Sequence, residues 1–382
     1  YPGWMRPGYD DGNWKRVSTL QLDGTALEPD AAPAVSTTQV LKPVVFTRDG
    51  DRAVADFGQN HSGRLRLSIS GEAGAVVRIQ HAEILDGDGK LYSANLLRAA
   101  QTDSLVCDED GPQEWEPAFT VHGFRFAELT GLERTTLHTI ESRVLHSNLE
   151  IAGDFACGHS MVDRLQRNIR WGLRSNLQTV PTDCPSRDER LGWLADAQLI
   201  AGTAACFFDV RTYFAKWVQD ICDSQAADGT VSDMAPFISP AFDFLADGAP
   251  GWADAAVIVP WTLWQRYADP EMIESSWGMM AAWMGNLERR FPDALRRSVG
   301  NNYGDWLAID TGTDRDLIAT AYYAQAARMM ADMAEGSGRW HEAECYRALE
   351  ERVCGSFRKT FIREDGTLST PTQAAYAIAI GT

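Results

Sequence analysis

The pattern of apolar residues changes near residue 150, and this change most constrains what the chain can fold into. Before it, Leu65, Leu67 and Ile69 alternate with polar residues, as in a strand with one buried face. After it, apolar residues from Met161 to Leu177 recur every three or four positions, which is typical of one helix face. We therefore expect a β domain followed by an α-helical domain.

Turn signals divide the first part into short strands. Asp49 and Gly50 separate two strand patterns and predict a hairpin. Further turns and alternating segments continue to residue 147, and this spacing predicts a β-sandwich over residues 39–147. Residues 1–38 contain many turn-forming residues, and we expect them to be the remnant of an upstream β domain with its linker.

The remainder, residues 148–382, consists of helix patterns separated by long polar loops that contain tryptophan. Asp269 and Pro270 supply an N-cap and a first helical residue, and Gly336 supplies a helix stop. The long loops favour a toroid of helical hairpins, an (α/α)6 barrel, over a compact bundle. Such a toroid has about twelve helices, and the sequence shows seven or eight. We therefore expect a barrel that is truncated at its C-terminal end.

Charge and cysteine content exclude several classes of partner. With 35 Lys and Arg against 53 Asp and Glu, the formal net charge is −18, which argues against a nucleic-acid partner. No apolar run approaches the roughly 20 residues of a membrane helix, so we expect no membrane partner. The seven cysteines form no CxxC pair, which favours a reducing compartment and a cytoplasmic location.

Residues 181–198, PTDCPSRDERLGWLADAQ, concentrate carboxylates and guanidiniums around a tryptophan. On a helix, Glu189, Trp193 and Asp196 are spaced four and three apart and share one face. Carboxylates bind sugar hydroxyls or transfer protons, and an indole ring covers the apolar face of a pyranose. The pattern favours a carbohydrate site over an exposed, salt-bridged helix start, although Pro185 and Gly192 interrupt a regular helix.

Acid and tryptophan pairs recur in two further loops. Trp252 and Asp254 precede an apolar segment, and Asp305 and Trp306 lie within NNYGDWLAID. The recurrence indicates a shared sugar-binding cleft. No HExxH occurs, and DGDGK at 86–90 lacks the spacing and the closing Glu of a calcium loop. We therefore expect no metal and no cofactor.

Five segments of the chain carry a resemblance to a known family: TDCPSRDERLGWLADAQ at 182–198, DFGQNHSGRLRL at 56–67, EILDGDGKLYSANLLRA at 83–99, WEPAFTVHGFRFAEL at 115–129 and GWADAAVIVPW at 251–261. Together they resemble the bacterial α-L-rhamnosidases, family 78 of the glycoside hydrolases. Two positions depart from the family pattern, since Ala195 stands where Gly is usual and Ser186 where Gln is frequent. The resemblance extends over essentially the whole chain.

The resemblance implies an (α/α)6 barrel that removes terminal, non-reducing α-L-rhamnose from glycosides or polysaccharides with inversion. Such a reaction uses one protonated carboxyl group and a second carboxylate that activates water. By motif position, Glu189 is the expected general acid. The residues expected to contact the sugar are Asp183, Arg187, Trp193, Asp196, Trp252, Asp254 and Trp306.

The family's catalytic base is a Glu on a late barrel segment that has no match here, so we expect it beyond Thr382. This gap leaves a second interpretation, a truncated protein that binds carbohydrate without turnover. A glucosidase or a phosphorylase built on the same toroid is a further alternative. A phosphorylase would need a basic phosphate pocket, which the sequence does not indicate.

Overall fold

The computed structural model describes residues 3–4, 7–20, 29–108, 110–239, 241–309 and 312–382. The prediction for the upstream remnant falls partly on residues 1–2, 5–6 and 21–28, which lie outside the described residues. Two compact units divide the chain: Tyr1–Ser147 with Cys184–Asp188, and Asn148–Asp183 with Glu189–Thr382. Within the described ranges, no helix combines the length and the apolar character needed to cross a membrane.

Eight strands of the first unit form one antiparallel sheet in its described part. The order along the sheet is β1-β8-β3-β7-β4-β5, and β2 and β6 both pair with β3. The first strand begins at Val35 and therefore crosses the predicted boundary at residue 39. The bounds are β1 (Val35–Leu41), β2 (Val45–Asp49), β3 (Arg52–Gly71), β4 (Val76–Ala82), β5 (Thr102–Val106), β6 (Gly111–Trp115), β7 (His122–Thr130) and β8 (Thr135–Ser147).

The long strand β3, of 20 residues, organises this sheet. Its first part pairs with β2 and β7, and its last part pairs with β8 and β6. The register with β7 shifts between Asp56 and His61, where the strand changes from one set of neighbours to the other. The predicted alternation is confirmed, because Leu65, Leu67 and Ile69 are completely buried. The sheet thus curls around an apolar core.

Eight helices follow in the described part of the second unit. The predicted caps are confirmed, since the Asp269 side chain accepts the Glu271 N–H and Pro270 is the first helical residue. The bounds are α1 (Ser160–Asn176), α2 (Leu194–Phe207), α3 (Arg211–Ser224), α4 (Ala255–Tyr267), α5 (Pro270–Arg290), α6 (Arg315–Gly336), α7 (Trp340–Phe361) and α8 (Gln373–Ile380).

The even-numbered helices form an inner layer of this unit. Helix α2 packs against α4, α4 against α6, and α6 against α8, while α3 packs against α5 outside them. This alternation of inner and outer helices is the arrangement of a hairpin toroid. The core includes the completely buried rings of Trp217, Trp283 and Tyr323. The predicted apolar face of α1 is buried only near its C-terminal end, because Leu173 and Leu177 join that core while Met161 and Leu165 are exposed.

Candidate active site

The predicted shared helix face of Glu189, Trp193 and Asp196 is wrong, because α2 begins later than the charge pattern suggests. The helix starts at Leu194, and Trp193 is its N-cap in an extended conformation. Only Asp196 lies on the helix, in the first turn, where the helix dipole favours a negative charge. Glu189 lies in the preceding loop, where its side chain is partly buried.

A short antiparallel pairing holds this loop in place. Ala235 donates its N–H to the carbonyl of Gly192, and Leu194 donates its N–H to the carbonyl of Asp233, both at 2.9 Å. A Cβ atom at Gly192 would lie only 2.1 Å from the Ala235 carbonyl oxygen. Gly192 therefore permits the close approach of the two segments, a function that the sequence pattern did not reveal.

We expect Gly192→Ala to lower the free energy of unfolding by about 1–3 kcal/mol, because a methyl group would force the paired segments apart. The same displacement would move Trp193 and the start of α2. Urea unfolding followed by circular dichroism measures the effect. The matched control is Gly355→Ala in α7, where no atom lies within 4 Å of the added Cβ. That control should stabilise the helix by about 0.5–1 kcal/mol. Equal effects of the two substitutions would contradict the role of Gly192.

Two carboxyl groups meet at the start of the loop. The nearest side-chain oxygens of Asp183 and Glu189 lie within 4.8 Å of each other. The turn between them is fixed by the Leu191 N–H, which donates to Asp183 Oδ1 at 3.0 Å. The loop therefore brings the expected general acid, Glu189, close to Asp183, one of the expected sugar-binding carboxylates.

Asp196 lines two cavities of the helical unit, each of about 280 Å³. Asp183 and Asn176 also line the first cavity, so two predicted sugar-binding carboxylates face the same space. The second cavity combines carboxylates with aromatic rings. Its polar and aromatic lining residues are Asp196, Gln198, Trp252, Asp305, Trp306 and Tyr322.

Three rings form a cluster that we call the aromatic wall: Trp252, Tyr303 and Trp306. The ring centroids of Trp252 and Tyr303 are 4.1 Å apart, and Trp306 meets both rings edge-on. Trp306 is 61% exposed, whereas Trp252 is 8% exposed and supports it from behind. An exposed indole beside carboxylates offers one apolar surface flanked by hydrogen-bond acceptors, which matches the two-sided chemistry of a sugar ring.

Asp254 is completely buried, unlike the other predicted sugar-binding carboxylates. Both of its oxygens lie 2.9 Å from Nη1 of Arg296, which is 1% exposed. Asp254 also accepts the Gly251 N–H at 2.8 Å and the Trp283 indole N–H at 3.3 Å. This burial favours a role in fixing the turn that carries Trp252 over direct contact with a ligand.

The remaining predicted residues occupy different surroundings. The indole N–H of Trp193 is buried and has no hydrogen-bond partner among the described residues. Arg187 belongs to the Cys184–Asp188 stretch of the first unit, where Ser186 Oγ donates to Glu83 Oε2 at 3.1 Å.

Sequence reasoning missed Gln198, which lines the second cavity and whose side-chain amide donates to the Gly251 carbonyl at 2.7 Å. Gln198 is the last residue of the charged segment 181–198, and this position was the sequence signal that could have identified it.

In the sheet unit, His81, Asp103 and His122 are close enough to hold a metal ion. The two imidazole rings, however, are stacked 4.2 Å apart at an angle of 20°. An ion in the plane of one ring would therefore lie outside the plane of the other. Hydrogen bonds account for the cluster instead, since His122 Nε2 lies 2.9 Å from Asp103 Oδ2 and its Nδ1 lies 2.8 Å from Gln101 Oε1. Burial and the neighbouring His122 lower the pKa of His81 to about 3.

Carboxylates beside an exposed tryptophan suit the binding of a sugar ring, and paired carboxyl groups are what glycoside hydrolysis uses. Comparison with known families agrees. Residues 150–382 match the bacterial α-L-rhamnosidase 6 hairpin glycosidase domain, and residues 47–146 match the bacterial α-L-rhamnosidase concanavalin-like domain. The chain belongs to the bacterial α-L-rhamnosidase family, as the sequence motifs predicted.

Individual relatives support the same assignment. An α-L-rhamnosidase of Streptomyces avermitilis is 38% identical over 99% of this chain, and one of Formosa agariphila is 34% identical over 99%. The chain spans 36% and 42% of the lengths of these relatives. The crystal structure of a Streptomyces avermitilis α-L-rhamnosidase complexed with L-rhamnose matches with a TM-score of 0.90 and 36% identity. That match covers 99% of this chain and 36% of that one.

Proposed function

We propose that the protein is an α-L-rhamnosidase that removes terminal, non-reducing α-L-rhamnose from glycosides or polysaccharides by inversion. The observation that carries this proposal is the Asp183 and Glu189 carboxyl pair, with Asp183 and Asp196 facing one cavity. The family match and the relatives named α-L-rhamnosidases support the choice of sugar.

Glu189 is the proposed general acid, which protonates the glycosidic oxygen as the bond to the sugar breaks. In inverting enzymes a second carboxylate activates water on the opposite face of the ring. Asp183 and Asp196 are proposed to accept hydrogen bonds from rhamnose hydroxyls, together with Arg187 as a donor. Trp306 is proposed to pack against the apolar side of the sugar.

Trp193 and Trp252 complete the proposed sugar-binding set. The indole N–H of Trp193, which is buried and has no hydrogen-bond partner among the described residues, is proposed to donate a hydrogen bond to a sugar hydroxyl. Trp252 is proposed to contribute its edge to the cavity while it supports the aromatic wall. Asp254 is proposed to act indirectly, because it accepts the Gly251 N–H and so fixes the turn that carries Trp252.

Hydrolysis of an aryl α-L-rhamnoside by the full-length protein tests the proposed function. We expect turnover of the rhamnoside and little turnover of the matching α-glucoside. Nuclear magnetic resonance of the first sugar released should show the β anomer, as inversion requires. Release of the α anomer would overturn the inverting mechanism. Rhamnose binding without any hydrolysis would instead indicate a carbohydrate-binding protein.

We also propose a cytoplasmic location. Seven cysteines are present, and none takes part in a disulfide in the described structure. Proteins of oxidising compartments commonly pair their cysteines. Fractionation of the source cells with an antibody against the protein tests this proposal, and recovery outside the cytoplasm would refute it.

We expect Trp306→Ala to raise KM for the rhamnoside about ten-fold, because the sugar loses its apolar contact surface. The free energy of unfolding should change by less than about 0.5 kcal/mol, since the ring is mostly exposed. Initial-rate kinetics and urea unfolding provide the two measurements. The matched control is Trp340→Ala at the start of α7, where the ring is also exposed. An equal KM for both variants would remove Trp306 from the binding site.

A further inference from the structure

Asp233 is completely buried among the loops of the helical unit. Its Oδ2 accepts the phenol O–H of Tyr303 at 2.7 Å and the side-chain amide of Asn301 at 3.3 Å. Its Oδ1 is buried and has no hydrogen-bond partner among the described residues. A charged carboxylate that is buried and has only neutral hydrogen-bond donors around it is costly, so this site favours a neutral carboxylic acid.

The charged surroundings act in the same direction. Asn301 bridges two carboxyl groups, because its backbone N–H donates to Asp247 Oδ2 while its side chain reaches Asp233. Asp247 Oδ1 is also buried without a partner among the described residues. The nearby Arg290 donates to the main-chain carbonyl of Asp247 at 2.9 Å. Burial, followed by the charge of Asp247, raises the pKa of Asp233 to about 6, although hydrogen bonds from Tyr303, Asn301 and the backbone of Ala249 act to lower it.

Asp233 is connected to both halves of the candidate active site. Its main-chain carbonyl accepts the N–H of Leu194, the first residue of the helix that carries Asp196. Its side chain holds Tyr303, whose ring lies 4.1 Å from Trp252 in the aromatic wall. One residue therefore ties the start of α2 to the aromatic side of the second cavity.

We propose that Asp233 is a positioning residue of the sugar cleft, and that as a neutral acid it holds Tyr303, and through Tyr303 the aromatic wall, in place. This inference rests on the proposed function for the identity of the ligand, but the contacts of Asp233 do not depend on it. When Asp233 loses its proton, its negative charge lies near that of Asp247. Among the described residues, no cation contacts both carboxylates. The cleft geometry should therefore loosen as Asp233 loses its proton.

The direction of the pH effect follows from the raised pKa. Protonated Asp233 stabilises the folded state fully below the unfolded value near 3.8, and this contribution is lost as the pH rises through about 6. Asn at this position keeps an acceptor for Tyr303 and cannot ionise. The difference in urea midpoint between Asp233→Asn and wild type should therefore grow in favour of the variant from pH 4.5 to pH 7.

Tryptophan fluorescence of the full-length protein tests the inference without any substrate. We expect a transition near pH 6 in the wild type and no such transition in Asp233→Asn. In Tyr303→Phe the transition should move to higher pH, because the loss of a donor favours the neutral acid. The matched control Asp243→Asn, an exposed aspartate of the same loop, should titrate like the wild type. Persistence of the transition in Asp233→Asn would overturn the inference.

Kinetics supply a second readout. Asp233→Leu should raise KM for the rhamnoside at least ten-fold with a smaller effect on kcat, and Asp233→Asn should raise it much less. Equal KM increases in both variants would reduce Asp233 to a purely structural residue. If Ca²⁺ at 1 mM abolishes the fluorescence transition of the wild type, the two carboxyl groups form a cation site, which also overturns the inference. Absence of rhamnosidase activity alongside the expected fluorescence result would refute the proposed function alone.

Discussion

Glu189→Gln in the full-length protein is expected to lower kcat/KM about 10³-fold for a rhamnoside with a poor leaving group. Glutamine keeps the shape of the side chain but cannot donate a proton to the glycosidic oxygen. With a 2,4-dinitrophenyl leaving group, which departs without protonation, the loss should fall below about ten-fold. Steady-state kinetics with both substrates measure the difference, and folding is checked by urea unfolding.

The matched control for this substitution is Glu344→Gln, an exposed glutamate of α7. It should hydrolyse both substrates like the wild type. If Glu189→Gln lost the same factor with both leaving groups, Glu189 would bind the sugar rather than transfer the proton. Wild-type activity of Glu189→Gln would remove it from the active site altogether.

Arg296→Ala is expected to lower the free energy of unfolding by about 3–5 kcal/mol. The guanidinium is completely buried, as is the Asp254 carboxylate with which it pairs. Removal of the arginine leaves the negative charge of Asp254 with only the neutral donors of Gly251 and Trp283. Because Gly251 leads into Trp252, we also expect weaker rhamnose binding by any variant that still folds.

The adjacent residue provides a close control. Arg297 pairs with Asp293, but both side chains are about half exposed. Exposed ion pairs contribute little, so Arg297→Ala should cost less than about 1 kcal/mol. Chemical unfolding of both variants under the same conditions gives the comparison. Similar losses would show that burial of the Asp254 pair is not what makes it important.

Local patterns predicted the elements of both units well. The period of two in Leu65, Leu67 and Ile69 predicted a strand because alternate side chains of a strand share one face, and here that face is completely buried. The capping pair of Asp269 and Pro270 predicted the start of α5 because it depends only on adjacent residues. Such signals need no knowledge of distant parts of the chain.

The site depended on contacts that no local pattern contains. The loop before α2 stays extended because it pairs with residues 233–235, about 40 positions later, and no charge spacing reveals this. Trp252 and Asp254 form the same kind of acid and tryptophan pair as Asp305 and Trp306. Asp254 has a different environment because it pairs with the buried guanidinium of Arg296, 42 residues further on.

The long strand β3 has a consequence for how the sheet forms. The first part of β3 pairs with β7 and its last part pairs with β8, so β3 belongs to both halves of the sheet. Neither half therefore has all its strand neighbours until the other has formed. Strand β1 must also find β8 across about 100 residues of intervening chain. Pairings over such separations slow folding, because the loop is closed before the contacts repay its entropy. We expect the sheet to fold slowly and to unfold in one cooperative step, with its two halves exchanging amide hydrogens at the same rate.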